Sequence, residues 1–247
     1  MIIIRSKLGF IKRIIRRAFP NLVKRDLGWI LSNLEITPDV IFDIGANVGN
    51  TIIVFRKYFP QAMIFGFEPA SETYHQLQKN LTNELDHVKL VNLGFSSVKQ
   101  SAPLNITIFN GANSICITNQ DYLDIHPQLN TLRQEEIQLV TMDEYVEQNK
   151  ITHIDLVKID VEGYELEVLA GGKESFLGCV DAILIEISFA RQGIGSNYWI
   201  RLLDLLYSYG FDMLAIYDEY YNNWPKVGLR LEQMDALFGK RNKKILR

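Results

Sequence analysis

Apolar side chains recur along this chain in two rhythms. From Leu8 they fall at Leu8, Ile11, Ile14, Ile15, Ala18, Phe19 and Leu22, with Lys12, Arg13, Arg16 and Arg17 between them, the spacing of one helical stripe beside a basic face. Pro20 interrupts that stripe, and Leu27, Ile30, Leu31 and Leu34 predict a second short helix before Thr37-Pro38. After Pro38 short apolar runs alternate with helical patterns: strand 40–44, helix 50–58, strand 63–67, helix 71–81 and strand 88–93. Strands apolar on both faces and joined by helices predict a parallel sheet covered on each side, a doubly wound α/β domain.

Between residues 94 and 150 the rhythm changes. Runs 104–109 and 113–118, separated by Asn110-Gly111, predict a β-hairpin inserted at the rim of the sheet, and 137–140 a further strand. The α/β alternation then resumes with strand 154–159, helix 166–170, strand 182–187, helix 198–209 and strand 212–216. The division this suggests is a basic helical extension over residues 1–37 and one domain over 38–247.

Composition refines the picture in two ways. Residues 1–25 hold eight of the 26 basic side chains and no acidic one, leaving 18 basic against all 29 acidic groups in the rest, so the net charge of −3 joins a basic start to an acidic body. Two cysteines without a CxxC, Cys116 and Cys179, exclude a disulfide scaffold and a cysteine zinc site and point to a reducing, cytoplasmic compartment. No apolar run reaches the roughly 18 residues of a transmembrane helix, and Met1 to Ile4 is too short for a signal-peptide core.

Candidate chemistry gathers where strands end. Asp43-Ile44-Gly45-Ala46-Asn47-Val48-Gly49 closes the first strand and opens the first helix of the domain, a glycine turn that lets backbone approach a ligand beside a helix N-terminus. The GxG of a dinucleotide fingerprint is missing, whereas S-adenosylmethionine tolerates a looser turn. Glu68 ends the second strand, at the position of an acid that accepts from a ribose, and Asn92 to Ser96, with Gly94 and Phe95, end the third beside the place for an adenine. The strand 154–159 closes on Lys158, Asp160 and Glu162, with Glu186 ending the next strand on the same rim. Clustered carboxylates there serve as base, as hydroxyl-orienting groups or as ligands of a divalent cation; the alternative is a buried ion pair with Lys158. His75, His87, His126 and His153 have no partner at metal-ligand spacing and are expected to be solvated, and Tyr217 to Trp224 are expected as a packed aromatic loop at the same edge.

Together these segments are similar to the FkbM family of S-adenosylmethionine-dependent methyltransferases: Phe42 to Gly49, Phe67-Glu68-Pro69, the Asn113-Ser114 turn, Thr141-Met142-Asp143-Glu144-Tyr145, Leu156 to Gly171 with its Lys-x-Asp-x-Glu-Gly core, and the strand carrying Glu186. The resemblance runs from about residue 38 to the C-terminus. It implies a Rossmann-like class I methyltransferase with a seven-stranded, mostly parallel sheet, helices on both faces and an antiparallel last strand, for which 243–247 is the candidate. It implies O-methylation of a hydroxyl on a sugar, glycolipid, polysaccharide precursor or natural product. On this reading Asp43, Gly45, Ala46, Asn47, Gly49, Glu68, Gly94 and Phe95 bind S-adenosylmethionine, Asp160, Glu162, Lys158 and Glu186 are catalytic, and Asp160 with Glu162 is the candidate Mg²⁺ site.

An alcohol proton needs a sink, which Asp160 or Glu162 would provide; the acid farther from Lys158 is the better base, because a neighbouring ammonium depresses a carboxylate's pKa. The alternatives are a nicotinamide-dependent oxidoreductase on the same fold, against which the missing GxG counts, and a non-catalytic cofactor-binding scaffold. The expected partner is a small-molecule or glycan acceptor with a free hydroxyl, not nucleic acid, for which no reading motif exists. The basic stripe over 1–25 is either a peripheral contact at the inner face of a membrane or a packing surface on this domain or a second subunit.

Overall fold

The computed structural model describes residues 26–82, 86–108, 110–116, 120–189, 197–224 and 228–246. The stripe over residues 1–25, and any membrane or subunit contact it makes, lies outside them.

Helix Leu27–Asn33 (α1) leads into strand Val40–Ile44 (β1), helix Asn50–Tyr58 (α2), strand Met63–Phe67 (β2), helix Ser71–Asn80 (α3) and strand Val88–Val91 (β3). Strands Gly94–Phe95 (β4) and Gln100–Thr107 (β5), helix Gln120–Ile125 (α4), strand Thr131–Val140 (β6) and helix Met142–Gln148 (α5) follow. The chain then runs through strand Ile154–Ile159 (β7), helices Glu165–Gly171 (α6) and Lys173–Gly178 (α7), strand Val180–Ser188 (β8), helix Tyr198–Ser208 (α8) and strands Phe211–Trp224 (β9) and Gly228–Lys240 (β10).

Seven strands form the main sheet in the order β3-β2-β1-β7-β8-β10-β9. β3, β2, β1, β7 and β8 pair in parallel, and β10 is antiparallel to both its neighbours. Alternate side chains of each parallel strand enter two separate cores. Phe42, Ile44, Phe67, Val157, Ile159, Ile183 and Ile185 face helices α5 to α8, while Ile41, Ile64, Leu156, Ala182 and Leu184 face α1, α2 and α3. That double burial is why these strands read as continuous apolar runs.

α1 belongs to the second core through Ile30 and Leu31, and Leu34 bridges Leu246. The C-terminal segment is therefore held against the start of the domain, and among its described residues it adds no strand to the sheet. The antiparallel strand is β10, not 243–247: Met234, Ala236 and Phe238 give β10 its inward positions, whereas 243–247 carries two apolar residues among charged ones.

The inserted β-structure also differs from its expected form. β5 pairs antiparallel with β6 rather than with the run starting at Asn113, of whose described residues Ser114 bridges Asn105. Asn110–Ala112 is a 3₁₀ turn within the long β5–β6 connection. β4 adds to the other edge of β6, giving a three-stranded sheet with its own small core of Ala70, Ala102, Leu104, Ile106, Ile137 and Leu139.

The chain leaves β1 toward β2 and β3 and returns to β7 on β1's other side. The sheet's topological switch point thus lies between β1 and β7, where open α/β sheets bind ligands beyond the strands' carboxyl ends.

Candidate functional site

At that point the backbones of β1 and β7 nearly touch. Gly45 adopts φ +81°, and a Cβ placed on it would lie 1.9 Å from the carbonyl oxygen of Asp160, so only glycine fits. The amides of Gly45 and Ala46 both donate to the carbonyl of Phe67, at 3.0 and 2.9 Å, which ties this corner to the end of β2. Gly49, with φ +94°, caps α2 and packs its Cα side against Leu77 and Leu81.

A cleft of about 670 Å³, counting its open mouth, lies above the corner. Gly45, Asn47, Glu68, Gly94, Phe95, Asp160 and Glu162 line it. Ala46 instead points into the α1–α3 core, Asp43 is enclosed beneath the corner, and Gly49 is absent from the cleft wall. The cleft's roof has no counterpart among the predicted site residues: Leu104, Ile137 and Leu139 of the three-stranded sheet close it, with Ile115 from the β5–β6 connection and Tyr164. The alternating apolar positions of β5 and β6 were the signal available for that roof.

Glu68 is buried, and both oxygens are engaged: Oε2 accepts from the amide of Asn47 at 3.0 Å and Oε1 from that of Ala70 at 2.9 Å. Burial outweighs these bonds and pushes its pKa up to about 7.

Lys158 Nζ sits between Asp160 Oδ2 at 3.0 Å and Asp43 Oδ1 at 3.5 Å. Burial alone would lower the pKa of this ammonium, but the charges of Asp160 and Asp43 outweigh it and hold it above the usual lysine range. The ion pair named as the alternative for Lys158 is therefore present, with Asp43 as its second acid.

Glu162 takes a left-handed conformation, φ +56°, uncommon for a residue with a Cβ. Gly163 follows at φ +100°, and its amide donates to Glu165 Oε1 at 3.0 Å. Tyr198 donates to Glu165 Oε2 at 2.5 Å, and Ser114 Oγ donates to the carbonyl of Glu162 at 2.6 Å. The turn carrying Glu162 is thus clamped from α6, α8 and the β5–β6 connection. Carboxylate oxygens of Asp160, Glu162 and Glu186 lie within 4.8 Å of one another. Burial, then the charges of Asp160, Glu162, Glu165 and Asp235, push the Glu186 carboxyl well above its usual range.

The match to known sequences is decisive here: residues 43–213 fit the profile described as the methyltransferase FkbM domain. The chain belongs to the FkbM family of S-adenosylmethionine-dependent methyltransferases. Membership sets aside the oxidoreductase alternative. This FkbM-family chain is 29% identical over 74% of its length to "Methyltransferase sdnD" of Sordaria araneosa, spanning 77% of that protein. It is 28% identical over 60% of its length to "Hexuronic acid methyltransferase AglP" of Haloferax volcanii, spanning 56% of that protein. It is 27% identical over 75% of its length to "2-O-methyltransferase NoeI" of Sinorhizobium fredii, spanning 77% of that protein. Among solved structures, the FkbM methyltransferase of Methylobacillus flagellatus superposes with a TM-score of 0.53 at 14% identity, over 88% of this chain and 48% of that one, a likeness of fold.

Two expectations about the FkbM-family chain's periphery are corrected. His126 is not solvated: it is buried, with Nε2 3.2 Å from Glu232 Oε2. His153 lies 3.0 Å from Asp181 and 3.3 Å from Asp155, at the opposite end of the sheet from the cleft. The aromatic segment 217–224 is not a loop but the second half of β9, with Tyr217 buried and Tyr220 and Tyr221 half exposed. No helix among the described residues is long and apolar enough to cross a membrane.

Proposed function

We propose that the protein transfers the methyl group of S-adenosylmethionine to a hydroxyl of a sugar, glycolipid or related natural product. The observation that carries this reading is the position of Glu162: it lines the cleft next to Asp160 and Glu68 and also faces a second, acid-lined space toward β8 and β10. A carboxylate shared by two adjoining spaces is where a hydroxyl from one would meet a group held in the other. The printed activities of the Haloferax and Sinorhizobium relatives, hexuronic acid methylation and 2-O-methylation, support a hydroxyl-bearing glycan acceptor.

The residues fit the cofactor. Glu68 would accept from the ribose hydroxyls, the amides around Asn47 and the Gly45 turn leave room for the amino-acid end, and Phe95 with Leu104, Ile137 and Leu139 forms an apolar slot for the adenine. S-adenosylmethionine, when bound, supplies a methyl already activated as a sulfonium, which leaves as a neutral thioether. The protein then has to align the acceptor oxygen and take its proton. Asp160 is tied to Lys158, so Glu162 is assigned as the proton acceptor, with Glu186 as the member of the acid group that keeps a proton and orients the acceptor.

A divalent cation such as Mg²⁺ held by the same three acids is the second reading that their 4.8 Å grouping favours. Loss of activity on chelation, restored by Mg²⁺, would support it; full activity in chelator would remove it. The function itself is tested by incubating the protein with labelled S-adenosylmethionine and extracted surface glycans, followed by mass spectrometry. Label on a glycan hydroxyl is the expected result, and cofactor binding without transfer across the panel would favour the scaffold alternative.

A further inference from the structure

The second space beyond Glu162 encloses about 730 Å³ with its mouth and is lined by His126, Glu162, Glu186, Ser188, Tyr220 and Glu232, among others. Three of these are glutamates, and no lysine or arginine lines it among the described residues. Lys158, in an adjoining recess, is committed to Asp160 and Asp43, and Arg230 beside Ser188 donates to the carbonyl of Phe189. His126 offsets one negative charge at most, because its Nε2 is paired with buried Glu232. The adjoining recess, which shares Glu186, adds Asp218 and Asp235. Ser188 and the carboxylates suit hydroxyl partners, and the half-exposed Tyr220 offers a ring face at the rim, the amphipathic surface on which sugar rings stack.

The methyl-transfer reading places the acceptor here, on the far side of Glu162 from the cofactor cleft, and the following inference rests on that reading. We infer that this space is the acceptor subsite and selects by charge: it takes an uncharged or amine-bearing polyhydroxylated ring and rejects one carrying a carboxylate. An added carboxylate would meet Glu162 and Glu232, offset at most once by His126, with Asp160 and Asp218 lining the adjoining recess, and like-charge juxtaposition is a strong source of discrimination. A hydroxyl or ammonium would instead donate to those groups.

The test uses the full-length protein saturated with S-adenosylhomocysteine in chelator-treated buffer at neutral pH. Affinities of methyl glucoside, methyl glucosaminide and methyl glucuronide are measured by saturation-transfer NMR. The first two are expected to bind and the glucuronide to bind at least about tenfold more weakly. Glu162→Gln, which removes the charged acid of this space, is expected to narrow that gap, and Tyr220→Ala, on an exposed strand face where folding is not at stake, to weaken the first two. Equal or tighter binding of the glucuronide overturns the inference, as does failure of all three to bind while S-adenosylhomocysteine binds. Failure of S-adenosylhomocysteine itself to bind would strike the methyl-transfer reading, and this inference with it.

Discussion

Lys158 stands in register with Asp43 across the β1–β7 pair, its Nζ 3.5 Å from Asp43 Oδ1. Asp43 is fully enclosed, and neither of its oxygens has a closer hydrogen-bond partner among the described residues. Burial raises its pKa, Lys158 pulls it down and Asp160 pushes it up again. The lysine is therefore what makes a carboxylate tolerable under the glycine corner. Lys158→Met should destabilise the fold by about 3–5 kcal/mol, the usual result of stripping the partner from a buried charge. With the lysine gone the Asp43 pKa rises further, so stability is kept at pH values below the unfolded pKa and lost as pH rises through the folded one. Urea unfolding of the variant should show a deficit that grows with pH, and Asp43→Asn added to it should remove that growth.

Glu162→Gln should lower kcat by roughly 10²–10⁴-fold, the contribution of a positioned base, while leaving cofactor affinity unchanged. The same substitution removes one of the charges that raise Glu186. Carboxyl-resolved NMR titration should then show the Glu186 pKa moving down. An unmoved Glu186 would mean that the two acids do not share the field that their closeness implies.

The clamp on the Glu162 turn can be loosened without touching the acid itself. Tyr198→Phe deletes the donor to Glu165 Oε2, leaving Oε1 bonded to Gly163. Burial raises the Glu165 pKa, and the bonds from Tyr198 and Gly163 pull against that rise. The expected cost is about 1–3 kcal/mol in denaturant unfolding. In kinetics kcat should fall with KM little changed, because the turn carrying the base moves while the two binding spaces stay.

Cofactor affinity should depend on pH through Glu68, whose burial sets its pKa at about 7. Ribose hydroxyls donate to the ionised form, so binding favours proton release and tightens as pH rises. Between pH 6 and pH 8 the dissociation constant should fall roughly tenfold, following the ionised fraction, and then level off. Calorimetry in buffers of different ionisation enthalpy would reveal the released proton below pH 7. Glu68→Gln should flatten the profile.

Much of this architecture is legible in the residue order because the central strands are buried on both faces. Val40–Ile44, Met63–Phe67 and Ile154–Ile159 carry apolar side chains into two cores at once, and their boundaries follow directly. β10 is obscure because one of its faces borders the acid-lined spaces. Gln233 and Asp235 there interrupt the pattern that Met234, Ala236 and Phe238 would otherwise display. The hairpin expected at Asn110-Gly111 follows a strong local turn signal, but Ala102, Leu104 and Ile106 of β5 form one core with Ile137 and Leu139 of β6, against which only Ile115 of the described residues after Asn113 packs. The His126–Glu232 pair joins residues 106 positions apart, and no local spacing announces it. Glu68, by contrast, is visible at once, since it ends a buried strand at the place where ligands meet such sheets.

The most direct test of the central claim is a calorimetric titration of S-adenosylmethionine into the wild-type protein and into Glu68→Ala. The wild type should bind one equivalent, and the variant should bind at least about tenfold more weakly, since a hydrogen bond to a charged group contributes roughly 1.5–3 kcal/mol. Equal affinity in the two proteins would contradict the assignment of this cleft.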